Sequence, residues 1–227
     1  MTSTSKFTNP DIGLDFEGTV RLHGYPFQEH FVTTSDGYIL RLFRVPHGLN
    51  DTYTQNRPAV LLQHGLIEPP DSFVIRGTLL SPAFYLANSG YDVWLANARG
   101  NTYSQNHTFL DPVSDPDFWD FTFADQMNDH QANIQYILNQ TSLENLSYFG
   151  YATGVASMLV GLIRQNQWFS DRVNLFISFG GFVRLDHIFG PPILFYGSSL
   201  PYEILRRYDI NSFPPSNDLI ENTTSFV

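Results

Sequence analysis

The stretch that decides the fold runs from residue 147 to residue 156 and reads SYFGYATGVA. A short apolar run leads into Gly-Tyr-Ala-Thr-Gly at 150–154, and a pattern typical of a helix follows. Two glycines that flank a central residue at this spacing allow a strand to turn sharply into a helix. The frame matches the Gly-x-Ser-x-Gly turn that carries a nucleophilic serine, but alanine stands at its centre.

Apolar runs and helical patterns alternate on both sides of this turn. The sequence predicts buried strands at 58–65, 91–100, 146–150 and 173–181, and helices at 79–90, 123–140 and 154–167. A hairpin around Ser35-Asp36-Gly37 precedes them, because Asp-Gly is a strong tight-turn signal. Strands that alternate with helices are typical of a mostly parallel sheet with helices on both faces.

The composition indicates a globular chain with a large core. Hydrophobic residues make up 42% of the 227 residues, and the net charge is −10. We expect no nucleic-acid partner, because an acidic surface repels phosphate groups. The absence of cysteine excludes disulfides, thiolate catalysis and cysteine-based zinc sites. No apolar run approaches the length of a membrane span, so we expect no transmembrane segment.

The sequence indicates no metal site and no cofactor site. We interpret Asp115, Asp117 and Asp120 as a solvated loop, because the alternation lacks the glycine and glutamate of a calcium loop. Five Asn-x-Ser/Thr sequons suggest a secretory history; they start at Asn50, Asn106, Asn139, Asn145 and Asn222. The first residues show no signal-peptide pattern, so the compartment stays open.

Several segments together resemble the acid lipase family of α/β-hydrolases, which includes gastric and lysosomal acid lipases. They are SDGYILRLFRVPHG (35–48), LLQHGL (61–66), GYDVWLANARGNTYSQNH (90–107) and the turn at 150–154. The resemblance implies an incomplete α/β-hydrolase fold with an N-terminal hairpin and a cap stub. Residues 1–182 would be the N-terminal part of the core, and residues 183–227 the start of a cap or an irregular C-terminal segment.

The resemblance also implies where the site lies. Members of the family hydrolyse neutral lipid esters, such as triacylglycerols and steryl esters, by serine acyl transfer. The nucleophile position is Ala152, and the backbone N–H groups of Leu66 and Thr153 take the oxyanion positions. The remaining residues of the elbow are Gly150, Tyr151 and Gly154.

Three departures from the family predict a catalytically inactive pseudoenzyme. Ala152 has no hydroxyl and cannot form an acyl-enzyme. Tyr151 and Thr153 stand where the family has His and Gln. The family's catalytic Asp and His lie later than any candidate in this sequence. We expect a protein that binds a lipid or acyl ligand, or that serves as a structural or assembly subunit. The alternative is a fragment of a lipid-ester hydrolase.

Other polar residues are predicted to have structural roles. Ser147 and Ser157 are poorly placed to replace the nucleophile. His64 is predicted to shape the loop after its strand, Arg99 to form an ion pair, and His130 to be a partly buried helix residue with a hydrogen-bond partner.

The strand VNLFISFGG (173–181) contains no charged residue and no proline that would protect a free sheet edge. We therefore expect the region 173–205 to be covered, either by residues 201–227 or by a protein partner or oligomer.

Overall fold

The computed structural model describes residues 10–51, 54–66 and 68–183. Within these ranges the strands β1 to β6 are Gln28–Thr33, Ile39–Val45, Ala59–Gln63, Asp92–Ala96, Leu146–Tyr151 and Val173–Phe179. The helices α1 to α6 are Phe16–Leu22, Gly77–Leu80, Pro82–Asn88, Gln126–Thr141, Thr153–Arg164 and Asn166–Arg172. Almost all of the expected cap stub, together with the sequon at Asn222, lies outside the described residues.

The six strands form one sheet in the order β1-β2-β4-β3-β5-β6. β1 pairs antiparallel with β2, and β2 pairs antiparallel with β4. The strands β4, β3, β5 and β6 run parallel to one another. The predicted mostly parallel sheet and the N-terminal hairpin are therefore confirmed.

The hairpin turn depends on Gly37. Its φ of +99° lies in a region that glycine occupies without steric cost. A Cβ at this position would lie 2.6 Å from Nε2 of His107. The turn therefore packs directly against the loop that follows β4.

Helices on the two faces of the sheet bury separate apolar clusters. On one face, Phe16 of α1 and Phe84 of α3 pack with Leu62 of β3. On the other face, Ile134 of α4 and Met158 of α5 pack with Trp94 and other residues of the strands. The predicted location of helices on both faces is thus confirmed.

The helix predicted at 79–90 is wrong in one respect, because two helices meet at Ser81. Proline disfavours helical geometry in the preceding residue, and ψ of Ser81 is 122°. The buried Ser81 hydroxyl donates to the carbonyl oxygen of Val74 at 2.7 Å and accepts the Arg76 N–H at 3.0 Å. These bonds satisfy backbone groups where the chain changes direction.

The helix predicted at 154–167 is also shorter than expected. α5 ends at Arg164, and Gln165 leaves the helix with φ −140° before α6 begins. The break allows α6 to fold back, so that the ring of Phe169 lies against Gly161. A Cβ on that glycine would lie 2.6 Å from Cε2 of the ring.

Candidate functional site

The turn between β5 and α5 has the sharp geometry predicted from its glycines. Ala152 joins the two elements with φ 48° and ψ −111°. Positive φ is strained for a residue with a Cβ and is typical of functional turns. The Ala152 N–H donates to the carbonyl oxygen of Phe179 at 3.1 Å, so the turn is also tied to the end of β6.

Close packing explains why glycine occupies both ends of the turn. A Cβ on Gly154 would lie 2.6 Å from Cγ of Gln63 and 2.9 Å from the carbonyl oxygen of His64. A Cβ on Gly150 would lie 3.1 Å from the carbonyl carbon of Gly154. The first turn of α5 therefore packs directly on the end of β3.

The loop after β3 reaches the same point of the sheet edge. A Cβ on Gly65 would lie 3.1 Å from Cβ of Ala152 and 3.2 Å from the ring of Tyr151. Leu66 follows and is half exposed. Thr153 is the first residue of α5, where a backbone N–H has no partner within the helix. The structure thus gathers the residues that the resemblance singled out, while their roles remain predictions.

His64 holds this loop in place. Its Nδ1 lies 2.6 Å from the carbonyl oxygen of Gly65, and its Nε2 accepts the backbone N–H of Ala98 at 3.1 Å. Because the ring is fully buried, desolvation lowers the pKa of His64 to about 4, and the ring is neutral at pH 7. Both nitrogens are occupied, which confirms the predicted loop-shaping role.

A buried polar network lies directly beneath the turn; the sequence predicted a hydrogen-bond partner for His130 but not its identity. Nε2 of His130 lies 2.8 Å from Oγ of Ser157. Ser157 donates to the carbonyl oxygen of Thr153 at 2.9 Å, and the Tyr148 hydroxyl donates to that of Gly154 at 2.8 Å. β5 thus holds the first turn of α5 directly, and α4 holds it through Ser157. The signal in the sequence was a polar residue among the apolar residues of each helix, His130 in α4 and Ser157 in α5.

The Ser157–His130 pair is closed to solvent. Both side chains are fully buried. Burial lowers the pKa of His130 to about 3, with smaller contributions from the charge of Arg99 and from His64. His130 is therefore more deeply buried than predicted, and the pair stabilises the turn without reaching a substrate. Ser147 is also remote from the apex: it lies near the start of β5, where its hydroxyl donates to Asn174.

Arg99 forms the ion pair that the sequence predicted. Its Nε donates to Asp129 at 2.8 Å and its Nη1 to Asp36 at 2.6 Å. The guanidinium also lies 4.1 Å from the centre of the Tyr38 ring. Although partial burial acts in the opposite direction, hydrogen bonds from Arg99 lower the pKa of Asp36 to about 2. The cluster joins the hairpin, the loop after β4 and α4.

Two other kinds of site are absent from the described residues. No group of three or more His, Asp or Glu side chains there is arranged to hold a metal ion. No helix in the same ranges is long and apolar enough to cross a membrane.

Comparison with known proteins connects this geometry to lipases. Residues 16–77 match the family model described as partial alpha/beta-hydrolase lipase region. The chain is 36% identical over 185 residues to human lipase member K, covering 81% of this chain and 46% of that protein. It is 35% identical over 187 residues to the lysosomal acid lipase/cholesteryl ester hydrolase of Macaca fascicularis, covering 81% of this chain and 46% of that protein.

A third relative is the gastric triacylglycerol lipase of Bos taurus, which is 40% identical over 149 residues. That match covers 64% of this chain and 37% of the bovine protein. The chain therefore spans less than half the length of these relatives, and it corresponds to their N-terminal part.

Solved structures confirm the fold. An esterase of Pyrococcus furiosus superposes with a TM-score of 0.57 at 12% identity, covering 83% of this chain and 66% of that one. A carboxylesterase of Bacillus subtilis gives a TM-score of 0.52 at 14% identity, covering 81% and 53%. The predicted incomplete α/β-hydrolase fold is confirmed by these similarities.

Proposed function

We propose that this chain, which belongs to the acid lipase family of α/β-hydrolases, is a non-catalytic member of that family. Its task would be to bind an acyl lipid or to serve as a subunit of a larger assembly. The single observation that carries the proposal is Ala152 at the apex of a turn that keeps its strained geometry. A methyl group at that point cannot attack an ester or form an acyl-enzyme.

The surroundings of the apex also favour inactivity. Two described histidines that contact the loop or helix beside the turn have other partners: His64 bonds to its own loop and to Ala98, and His130 bonds to Ser157. Both nitrogens of His64 and Nε2 of His130 are therefore engaged away from position 152. Asp186 and His187, which the sequence places too early for the family's acid and base, lie outside the described residues.

Lipids are the class of ligand that the family relationship favours. The three relatives bear names that refer to lipases, and one of those names includes cholesteryl ester hydrolase. We propose that the backbone N–H groups of Leu66 and Thr153 still form an oxyanion-type pair that can donate hydrogen bonds to the carbonyl oxygen of a bound ester. A net charge of −10 argues against a nucleic-acid ligand.

Mass spectrometry after treatment with a fluorophosphonate probe tests the loss of catalysis. We expect no mass increase for the natural chain and no cleavage of short-chain nitrophenyl esters above the buffer rate. The Ala152→Ser variant should remain unlabelled, because His64 is held by Gly65 and Ala98 and His130 is bonded to Ser157. Stoichiometric labelling of that variant, or ester cleavage by the natural chain, would overturn the proposal.

Titration with cis-parinaric acid tests lipid binding separately. We expect saturable fluorescence enhancement that Leu66→Pro abolishes, because proline removes the N–H at that position. Leu22→Ala, on a half-exposed residue of α1, is the control. If the acid does not bind at all, the proposal that the chain is a subunit of a larger assembly replaces lipid binding. Native mass spectrometry then tests that proposal, and a mass that always equals one chain would contradict it.

The alternative is that the sequence is a fragment of a lipid-ester hydrolase. The share of the relatives that it spans, 46% at most among the three described above, favours this reading. Sequencing of full-length transcripts across the codon for Val227 distinguishes the fragment from the non-catalytic protein proposed above. A reading frame that continues to a late Asp and His would support the fragment, although Ala152 would still occupy the nucleophile position.

A further inference from the structure

Three buried polar side chains near the turn have atoms without a hydrogen-bond partner in the protein. Asn133 of α4 is fully buried, and neither Oδ1 nor Nδ2 of its amide has a partner. His130, one helical turn earlier, has an unpartnered Nδ1. Gln63 at the end of β3 is 1% exposed, and its Oε1 has no partner. Folded proteins leave few buried polar groups unpaired, so these atoms indicate a partner other than a side chain.

His130 and Asn133 lie on the same face of α4. They are three residues apart, and residues at that spacing are neighbours on a helix surface, with about 5–6 Å between their Cβ atoms. Both side chains are fully buried, so this face of the helix packs on the sheet. The centre of the His130 ring lies 5.4 Å from that of Tyr148 in β5. The unpartnered atoms of α4 are therefore enclosed between the helix and the strands.

Gln63 faces the same layer from β3. Leu61, two residues earlier, packs in the apolar cluster that α4 and α5 cover, and side chains two apart share one face of a strand. Gln63 also contacts the first turn of α5, since a Cβ on Gly154 would lie 2.6 Å from its Cγ. Its neighbours in the sheet register are Ala96 and Gly150. These two positions therefore contribute no bulky side chain to the layer beside Gln63.

The hydrogen bonds of Ser157 determine which nitrogen of His130 carries the ring proton. Ser157 donates its single hydroxyl proton to the carbonyl oxygen of Thr153, so its oxygen must accept from Nε2 of His130. The ring is neutral because burial disfavours its charged form. In a neutral imidazole the other nitrogen, Nδ1, is then an acceptor. The partner that Nδ1 lacks must therefore be a hydrogen-bond donor.

A water molecule satisfies the demands of these atoms. Nδ1 of His130 requires a donor, and the amide of Asn133 offers both a donor and an acceptor. Water provides two donors and two acceptor sites, and a buried water typically makes about three hydrogen bonds. Because the amide is unpartnered at both its oxygen and its nitrogen, exchanging the two atoms leaves this demand unchanged.

We propose that a structural water molecule binds between α4 and the sheet, where it donates to Nδ1 of His130 and to Oε1 of Gln63 and accepts from Asn133. By occupying Nδ1, the water would hold His130 in the tautomer that donates to Ser157. It would thereby support the first turn of α5 beneath Ala152. The site contributes to the geometry of the turn and does not depend on whether the chain binds a lipid.

Oxygen-17 magnetic relaxation dispersion tests the site, because it counts the water molecules that stay bound inside a protein. Asn133→Leu should lose one such water relative to the natural chain, since leucine offers it no hydrogen bond. Asn139→Leu makes the same change at an exposed position of α4 and should keep the count of the natural chain. Equal counts in the natural chain and in Asn133→Leu would overturn the proposal.

A high-resolution crystal structure of the natural chain gives a readout that needs no variant. We expect an ordered water within about 3.2 Å of both Nδ1 of His130 and an amide atom of Asn133. A direct hydrogen bond between the two side chains, or no water between them, would refute the site.

Urea unfolding distinguishes a hydrated amide from a dry one by the sign of the change. If water bridges the two side chains, Asn133→Leu expels it and leaves Nδ1 of His130 unpaired, so the urea midpoint should fall. The double variant His130→Leu/Asn133→Leu removes both polar groups, and its midpoint should fall by less than the sum of the two single changes. A higher midpoint for Asn133→Leu than for the natural chain would contradict the bound water.

Discussion

Ala152 keeps a backbone conformation that its own side chain does not require. Its positive φ is imposed by neighbours: the tight packing of Gly154 on β3, the bond from Tyr148 to the first turn of α5, and the bond from Ser157 to Thr153. The turn can therefore outlast the chemistry that a serine at its apex would perform. Such strain persists only where the surroundings determine the backbone.

Replacing Ala152 with glycine should increase stability. Glycine adopts positive φ without the steric cost that alanine meets, so we expect Ala152→Gly to raise the free energy of unfolding by about 1 kcal/mol. Urea denaturation measures the change. The same substitution at Ala132, within α4, should instead lower the free energy of unfolding by about 1 kcal/mol. Destabilisation of equal size at both positions would contradict the strained turn.

Burial of His130 should make stability depend on pH. Its pKa is about 3 in the folded chain, against 6.5 for an exposed ring. Between pH 7 and pH 5 only the unfolded chain gains this proton, so the contribution of His130 should fall by about 2 kcal/mol. The contribution continues to decrease as the pH approaches 3.

The measurement compares the natural chain with His130→Leu in urea at pH 7 and pH 5. We expect the loss of stability on acidification to be smaller in the variant by about 2 kcal/mol. His47→Gln, at a half-buried ring, is the control and should change that loss far less. Identical losses in the natural chain and in His130→Leu would show that the ring is not buried as described.

At the scale of elements, the sequence predicted what depends on local chemistry. Continuous apolar runs predicted β3 to β6, and Asp36-Gly37 predicted the hairpin, because burial and turn geometry are encoded in neighbouring residues. The break at Ser81 was missed even though Pro82 signals it, because the apolar spacing continues across the break. The His130–Ser157 bond could not be predicted, since it joins helices that meet only in the folded chain.

The break between α2 and α3 should depend on the Ser81 hydroxyl. Ser81→Ala removes two hydrogen bonds and leaves the buried carbonyl of Val74 unsatisfied, which should cost about 1–3 kcal/mol. Ser89→Ala removes one bond at an exposed site and should cost about 0.5 kcal/mol or less. Thermal or urea unfolding measures both. Equal effects would contradict the structural role of Ser81.

At the scale of the whole molecule, the described residues form a six-stranded sheet in which β6 is an edge strand. Its outer edge carries backbone groups that need partners or cover. The sequence alone predicted that this edge needs cover, because β6 contains no charged residue and no proline.

Hydrogen exchange should detect cover over β6. In a monodisperse sample we expect the amides of residues 173–179 to exchange more slowly than those of β1, the strand at the opposite edge. Slow exchange follows if residues 201–227, a partner or a second copy covers the strand. A monomer in which β6 exchanges as fast as a free edge, with no tendency to associate, would contradict the predicted cover.

A crystal structure of the natural chain tests the central claim most directly, namely that the elbow persists without its nucleophile. The decisive quantity is the backbone conformation of residue 152. We predict φ near 48° and ψ near −111°, with the Ala152 N–H bonded to Phe179 and Gly154 packed on Gln63. Ala152 with negative φ inside a regular helix would contradict the claim, because the strained turn would then be absent.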